Sequence, residues 1–140
     1  VDQEITTLVI GKNDGWKQGV NLGKVNNQKF VTIPHARLID MIMYKCRLAG
    51  ISVIIQEESY TSVANFLNLE PLPVYGETTE KPVFSGKRIS RGLYRTDKGI
   101  RVQSDVMGSY NILRKAFPNA FNRYGIERCV VHPRRINLSK

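Results

Sequence analysis

The sequence predicts an α/β fold, and three observations carry the prediction. A short β-branched run stands at residues 5–10 (ITTLVI), apolar residues recur at helical spacing between Pro34 and Gly50, and a second β-rich run, ISVIIQ at 51–56, begins as soon as that helix stops. Strand, helix and strand in that order, with so little chain after the helix, imply a crossover between neighbouring strands paired in parallel. With 140 residues and 41% hydrophobic content, the chain suits one globular domain with a real core.

Each element follows from local chemistry. The first strand ends at Gly11, and residues 11–31 are rich in Gly and Asn, with Trp16 and Lys17 among them, so they read as a loop in which Trp16 packs. Pro34 suits the first turn of a helix. Leu38, Ile39, Ile42, Met43, Cys46 and Ala49 then form one apolar side, Arg37, Asp40, Lys45 and Arg47 fill other positions, and Gly50 supplies the stop. This predicts an amphipathic helix packed on a sheet. Residues 59–90 carry prolines and little periodicity, so a long loop is expected, followed by a short hairpin from Gly92 to Val102 around Asp97-Lys98-Gly99. Residues 59–103 are thus a long basic insertion. A last helix has Val106, Tyr110, Leu113 and Phe117 on one face and stops at Pro118.

The net charge of +9 is one-sided: residues 1–80 hold 7 Lys/Arg against 9 Asp/Glu, and residues 81–140 hold 14 against 3. Such an excess favours a polyanionic partner, above all nucleic acid. Cys46 and Cys129 lie far apart and outside any C-x-x-C pairing, which excludes a disulfide framework and a zinc ribbon and fits a reducing cytosol. No apolar run approaches the roughly 20 residues of a membrane span, and no signal pattern opens the chain. A soluble, unexported protein is the expectation. His35 and His132 each stand without a Cys or His at ligand spacing and read as surface or packing residues.

Two acidic positions could carry chemistry. Glu57 and Glu58 fall where a strand ends, the edge at which α/β sheets gather ligands. Asp105 falls where the last helix begins; there it either caps the helix or offers a carboxylate favoured by the helix dipole. Carboxylates meeting at one edge suit Mg²⁺ or Mn²⁺, and two such ions about 4 Å apart assist phosphodiester cleavage. The alternative for the Glu pair is plain solvation. Lys87, Arg88, Arg91, Arg95, Lys98 and Arg101, interleaved with Tyr94, could follow a phosphate backbone while Tyr94 stacks on a base; a solvated hairpin face is the other reading.

Three longer segments, IGKNDGWKQGVNLGKVNNQKFVTIPHARLIDMI from Ile10, EESYTSVANFLNLEP from Glu57 and SDVMGSYNILRK from Ser104, resemble in order and spacing the C-terminal half of the OrfB/TnpB proteins of insertion sequences. The resemblance implies an RNase H-like (RuvC-like) domain belonging to an RNA-guided, metal-dependent DNA endonuclease, with DNA and a guide RNA as partners, in a prokaryotic cytoplasm and associated with the nucleoid. It implies that Asp105 is the last catalytic Asp and metal ligand. The usual middle Glu is replaced by Gly11-Lys12-Asn13, so Glu57 or Glu58 would supply that carboxylate. Met107 stands where the family motif usually has Asn, and the zinc-ribbon cysteines are missing after Tyr60-Thr61-Ser62. The first catalytic Asp would lie upstream of Val1, so the expected fold is an incomplete RuvC-like domain, missing its N-terminal strands and short of activity by itself. A nuclease-dead binding module or transposon remnant is the alternative.

Overall fold

The structure, a computed structural model, describes residues 4–13, 35–77 and 79–121. They fall into two compact units, Val1–Ile55 and Gln56–Lys140. Trp16, Cys129, His132, Pro34 and most of the Gly/Asn-rich segment lie outside the described residues.

In the first unit β1 (Thr7–Lys12) neighbours β2 (Ser52–Glu57) in a two-stranded sheet, with the Ser52 N–H donating to the Thr6 carbonyl at 2.9 Å. Between them in sequence comes α1 (His35–Leu48). The expected strand, helix and strand are therefore present; β1 starts two residues later than expected and runs through Gly11, and β2 runs on into the second unit. Helix α1 ends as its sequence predicts. Gly50 takes a left-handed φ of 71°, the Ile51 N–H reaches back to the Cys46 carbonyl at 2.8 Å, and the Gly50 N–H reaches Arg47 at 3.2 Å. Those two bonds satisfy carbonyls that the helix itself leaves unpaired.

The packing of α1 differs from expectation. None of its described residues is buried, and only a narrow stripe of Ile39, Ile42 and Cys46 is half-covered, while Leu38, Met43 and Ala49 on its flanks stay exposed. Six apolar positions spread over a wide arc, and a single neighbouring surface covers only the middle of such an arc.

The second unit is built on a three-stranded antiparallel sheet of β3 (Lys87–Ser90), β4 (Leu93–Arg95) and β5 (Arg101–Gln103), followed at once by α2 (Ser104–Ala116). The hairpin expected around Asp97-Lys98-Gly99 is β4–β5. Gly99 supplies its positive φ of 79°, and Thr96 closes the turn by donating to and accepting from Ile100 and Gly99. Strand β3 falls inside the stretch expected to be loop, because all four of its residues are exposed and carry no alternation. It is held by backbone pairing to β4, with the Arg88 guanidinium 3.8 Å from the Asp105 carboxylate. A short 3₁₀ turn, Phe66–Asn68, also lies in that stretch, capped by the Asn65 side chain.

Phe66, Tyr94, Val102 and Met107 form the core, with Leu67, Tyr110 and Phe121 packed against it. Tyr94 and Val102 are cross-strand partners pointing inward, and the Phe66, Tyr110 and Phe121 rings meet at 5.0–5.5 Å. Helix α2 is turned relative to the expected orientation. Its buried face is Ser104, Met107, Gly108 and Asn111, while Val106, Tyr110 and Leu113 are half-covered and Phe117 is exposed. The buried polar Asn111 tips the balance, since its amide donates to the Thr61 and Ala64 carbonyls, each at 2.9 Å, and so must face inward. Nor does Asp105 cap the helix: the Gln103 side chain accepts the Val106 N–H at 2.8 Å, and Asp105 falls within the first turn.

The Tyr94 ring lies over Gly86, where an added Cβ would come to 2.6 Å from Tyr94 Cζ. Gly86→Ala should cost about 1–3 kcal/mol in urea unfolding, as overpacking does. Gly92→Ala, with open space around it, should change little and serves as the control.

Candidate nucleic-acid interface

Because side chains alternate across a strand, an inward Tyr94 dictates what points outward. Arg95 lies outside, with Lys87 directly opposite on β3 and Arg101 directly opposite on β5. All three are exposed. Three cations thus stand in register across three strands, with neighbouring Cβ atoms about 5 Å apart, and like charges placed opposite each other destabilise a sheet. A row of anions laid over them removes that penalty. The remaining basic residues lie elsewhere: Arg91 in the β3–β4 turn, Lys98 in the β4–β5 turn, and Arg88 in register with inward-facing Tyr94.

Tyr94 itself is fully buried, and its hydroxyl donates to the Val63 carbonyl at 2.9 Å. Burial, with the nearby charges of Glu70 and Asp97, pushes its pKa up to about 12. It is a packing residue, and the expected stacking role is corrected: the inward row of a small sheet had to be filled by its largest apolar side chain. Beside the outer row runs a groove of about 500 Å³, lined by Phe84, Ser85, Lys87, Arg95, Thr96 and Asp97. Phe84 is half-buried, braced by Tyr60 at 5.8 Å between ring centres. No alternation marks the segment around Phe84, so sequence reasoning had no signal by which to single it out.

The acidic positions are not brought together. Glu57 ends β2, and its carboxylate accepts hydrogen bonds from the Lys115 ammonium and the Ser59 N–H. The Lys115 side chain is only 6% exposed. Burial acts to raise the Glu57 pKa, but the bonds from Lys115 and Ser59 outweigh it and hold the carboxyl below its ordinary value. Asp105 lies at the other end of α2, 81% exposed, 3.8 Å from the Arg88 guanidinium and bonded to the Gln103 amide at 3.1 Å. Ten residues of helix separate Lys115 from Asp105, about 15 Å along the axis. Glu58 is half-buried, and its carbonyl accepts from the Thr61 hydroxyl at 2.9 Å. Among the described residues no group of three or more His, Cys, Asp or Glu could hold a metal ion. Glu57 and Asp105, each beside its own cation, do not fit a shared Mg²⁺ or Mn²⁺, which binds through several oxygens at one point.

The Glu57–Lys115 pair predicts a pH-dependent effect. A carboxyl with a lowered folded pKa contributes stability above its unfolded value of 4.5, and that contribution disappears as the pH falls through the folded value. Glu57→Gln should therefore cost about 1–3 kcal/mol near neutrality by leaving the Lys115 ammonium without a carboxylate partner. In thermal unfolding followed over a pH series, the gap to the parent chain should close in acid.

No helix among the described residues is long and apolar enough to cross a membrane. No curated protein and no solved structure matches the chain. The family model Cas12f1-like, TNB domain matches residues 35–112, a span that takes in α1, β2, the whole three-stranded sheet and most of α2. That match covers more than half of the sequence, and by it the chain belongs to the Cas12f1-like TNB domain family, among the TnpB-type proteins its motifs resemble.

Proposed function

We propose that this chain is the nucleic-acid-holding part of a TnpB-type, RNA-guided DNA endonuclease, gripping a phosphate backbone across the outer face of β3–β4–β5. The observation that carries the reading is the in-register row of Lys87, Arg95 and Arg101. Arg91 and Lys98 at the two turns extend the positive surface along the sheet, and the groove beside Phe84 offers a place for a base next to the backbone contacts. Family membership supports nucleic acid as the partner, DNA with a guide RNA in the intact protein. Under this reading the chain belongs to a RuvC-like, RNase H-fold nuclease of the branch without a zinc ribbon, acting in a prokaryotic cytoplasm.

A second reading, a binding module that cuts nothing itself, is favoured by the Glu57–Lys115 pair. It commits one expected carboxylate to a lysine at the far end of α2 from Asp105. Under both readings binding rests on backbone charge, so affinity should fall steeply with salt.

Fluorescence anisotropy with labelled single-stranded DNA, duplex DNA and RNA over a salt series tests this. The combined Lys87→Ala, Arg95→Ala, Arg101→Ala variant should bind every sequence more weakly, and its slope of log affinity against log salt should flatten by about 1 per lost contact. An unchanged slope would place the interface elsewhere.

A further inference from the structure

At the wall of the groove, where Ser85 and Asp97 line it, lies a cluster of hydrogen bonds that the nucleic-acid reading does not explain. Asn65 and Asn68, three residues apart on the 3₁₀ turn, both aim their side-chain amides at Ser85 and Asp97. Asn65 Nδ2 lies 3.2 Å from Ser85 Oγ and 3.0 Å from Asp97 Oδ1; Asn68 Nδ2 lies 3.1 Å from Ser85 Oγ and 3.1 Å from Asp97 Oδ2. The Leu67 N–H donates to Asn65 Oδ1 at 3.1 Å, so the Asn65 amide is oriented with its nitrogen toward the carboxylate. Glu70 closes the arrangement from behind, accepting the Asn65 N–H at 2.6 Å and the Ser85 N–H at 2.7 Å. Four points of the chain, separated by up to 32 residues, meet here.

The layout is that of a small metal knuckle. Structural zinc sites take two ligands spaced by two to four residues on a tight turn and two more from a facing segment. Asn65 and Asn68 have that spacing, the turn closes through Leu69 at a left-handed φ of 49°, and Ser85 and Asp97 face them. The chemistry is not that of zinc. The groups aimed inward are amide N–H donors, which have no lone pair for a metal, and neither thiolate nor imidazole is among them. The amide of Asn68 holds the Asp97 carboxyl below its ordinary pKa, as expected of an ionised acceptor.

We propose that Asn65, Asn68, Ser85 and Asp97 form a metal-free knuckle, in which hydrogen bonds from two asparagine amides to one carboxylate and one hydroxyl join the 3₁₀ turn to the hairpin in place of a structural ion. The core of this unit explains the need. Among the described residues the buried hydrophobic ones are Ala64, Phe66, Tyr94, Val102 and Met107, and polar bonds that join distant segments add to what their burial supplies. The knuckle forms whatever the outer face binds.

The test uses the full 140-residue chain. Purified from zinc-supplemented medium, it should carry far less than one zinc per chain, and its melting temperature should not move on adding a strong chelator. Asn68→Asp, which sets a second carboxylate against Asp97, should lower the melting temperature by several degrees. The exchange Asn68→Asp with Asp97→Asn should restore most of that loss, because the amide then at position 97 would donate to the carboxylate at position 68, while its oxygen still accepts from Asn65. If Asn68→Asp does not fold, the Asn68→Ala and Asp97→Ala cycle reports the same coupling as a double loss smaller than the sum of the single losses. One zinc per chain, a melting temperature lowered by the chelator, an exchange variant no better than Asn68→Asp, or strictly additive alanine losses would each overturn the proposal.

Discussion

The second unit depends on which way Tyr94 points. Its ring fills the inner face of the sheet over Gly86, packs beside Val102, and sends its hydroxyl to the Val63 carbonyl. With a period of two, that single orientation places Arg95 outside, and the register then carries Lys87 and Arg101 to the same face. A slip by one residue would bury Arg95 without a partner and expose the aromatic ring, a large penalty on both counts. The basic surface is therefore a consequence of how the core is filled, which fixes where on the sheet each of the three cations starts.

Two polar arrangements complete what apolar packing leaves short. On one side Asn111 bridges α2 to the Thr61–Ala64 segment, and Lys115 meets Glu57 at the end of β2. On the other, Asn65 and Asn68 gather Ser85 and Asp97. Each joins segments far apart in sequence through groups that are costly to leave unpaired, which makes the pairing specific as well as stabilising. Three acidic residues of this unit thus help to hold the fold. Glu57, Glu70 and Asp97 accept hydrogen bonds from other segments of the unit, whereas Asp105, 81% exposed, meets Gln103 and Arg88 at the start of α2.

Local signals made much of the fold legible in the sequence. The β-branched runs, the helical spacing before Gly50 and the Asp97-Lys98-Gly99 turn each correspond to an element. Interactions between distant residues were not legible. Strand β3 carries no alternation, because its existence depends on β4. The orientation of α2 turns on Asn111, a polar residue that no hydrophobic pattern would place inside. The basic residues stood out by charge, but only the register separates Lys87, Arg95 and Arg101 from Arg88, which lies in the Tyr94 row near Asp105. Tyr94 looked suited to stacking because sequence cannot say which face of a three-residue strand is covered. The resemblance carried by the Glu57 and Ser104 segments pointed to the family that the match over residues 35–112 establishes.

Whether the outer face of the three-stranded sheet meets nucleic acid can be read residue by residue in a backbone NMR titration of the isotope-labelled chain with a short single-stranded DNA. Shifts that concentrate on Lys87, Arg95, Arg101 and the Phe84 groove, with Tyr94, Val102 and Met107 moving little, are the predicted result. Shifts confined to α1, or to the exposed side of α2 around Ser109, with the three cationic positions silent, would contradict it.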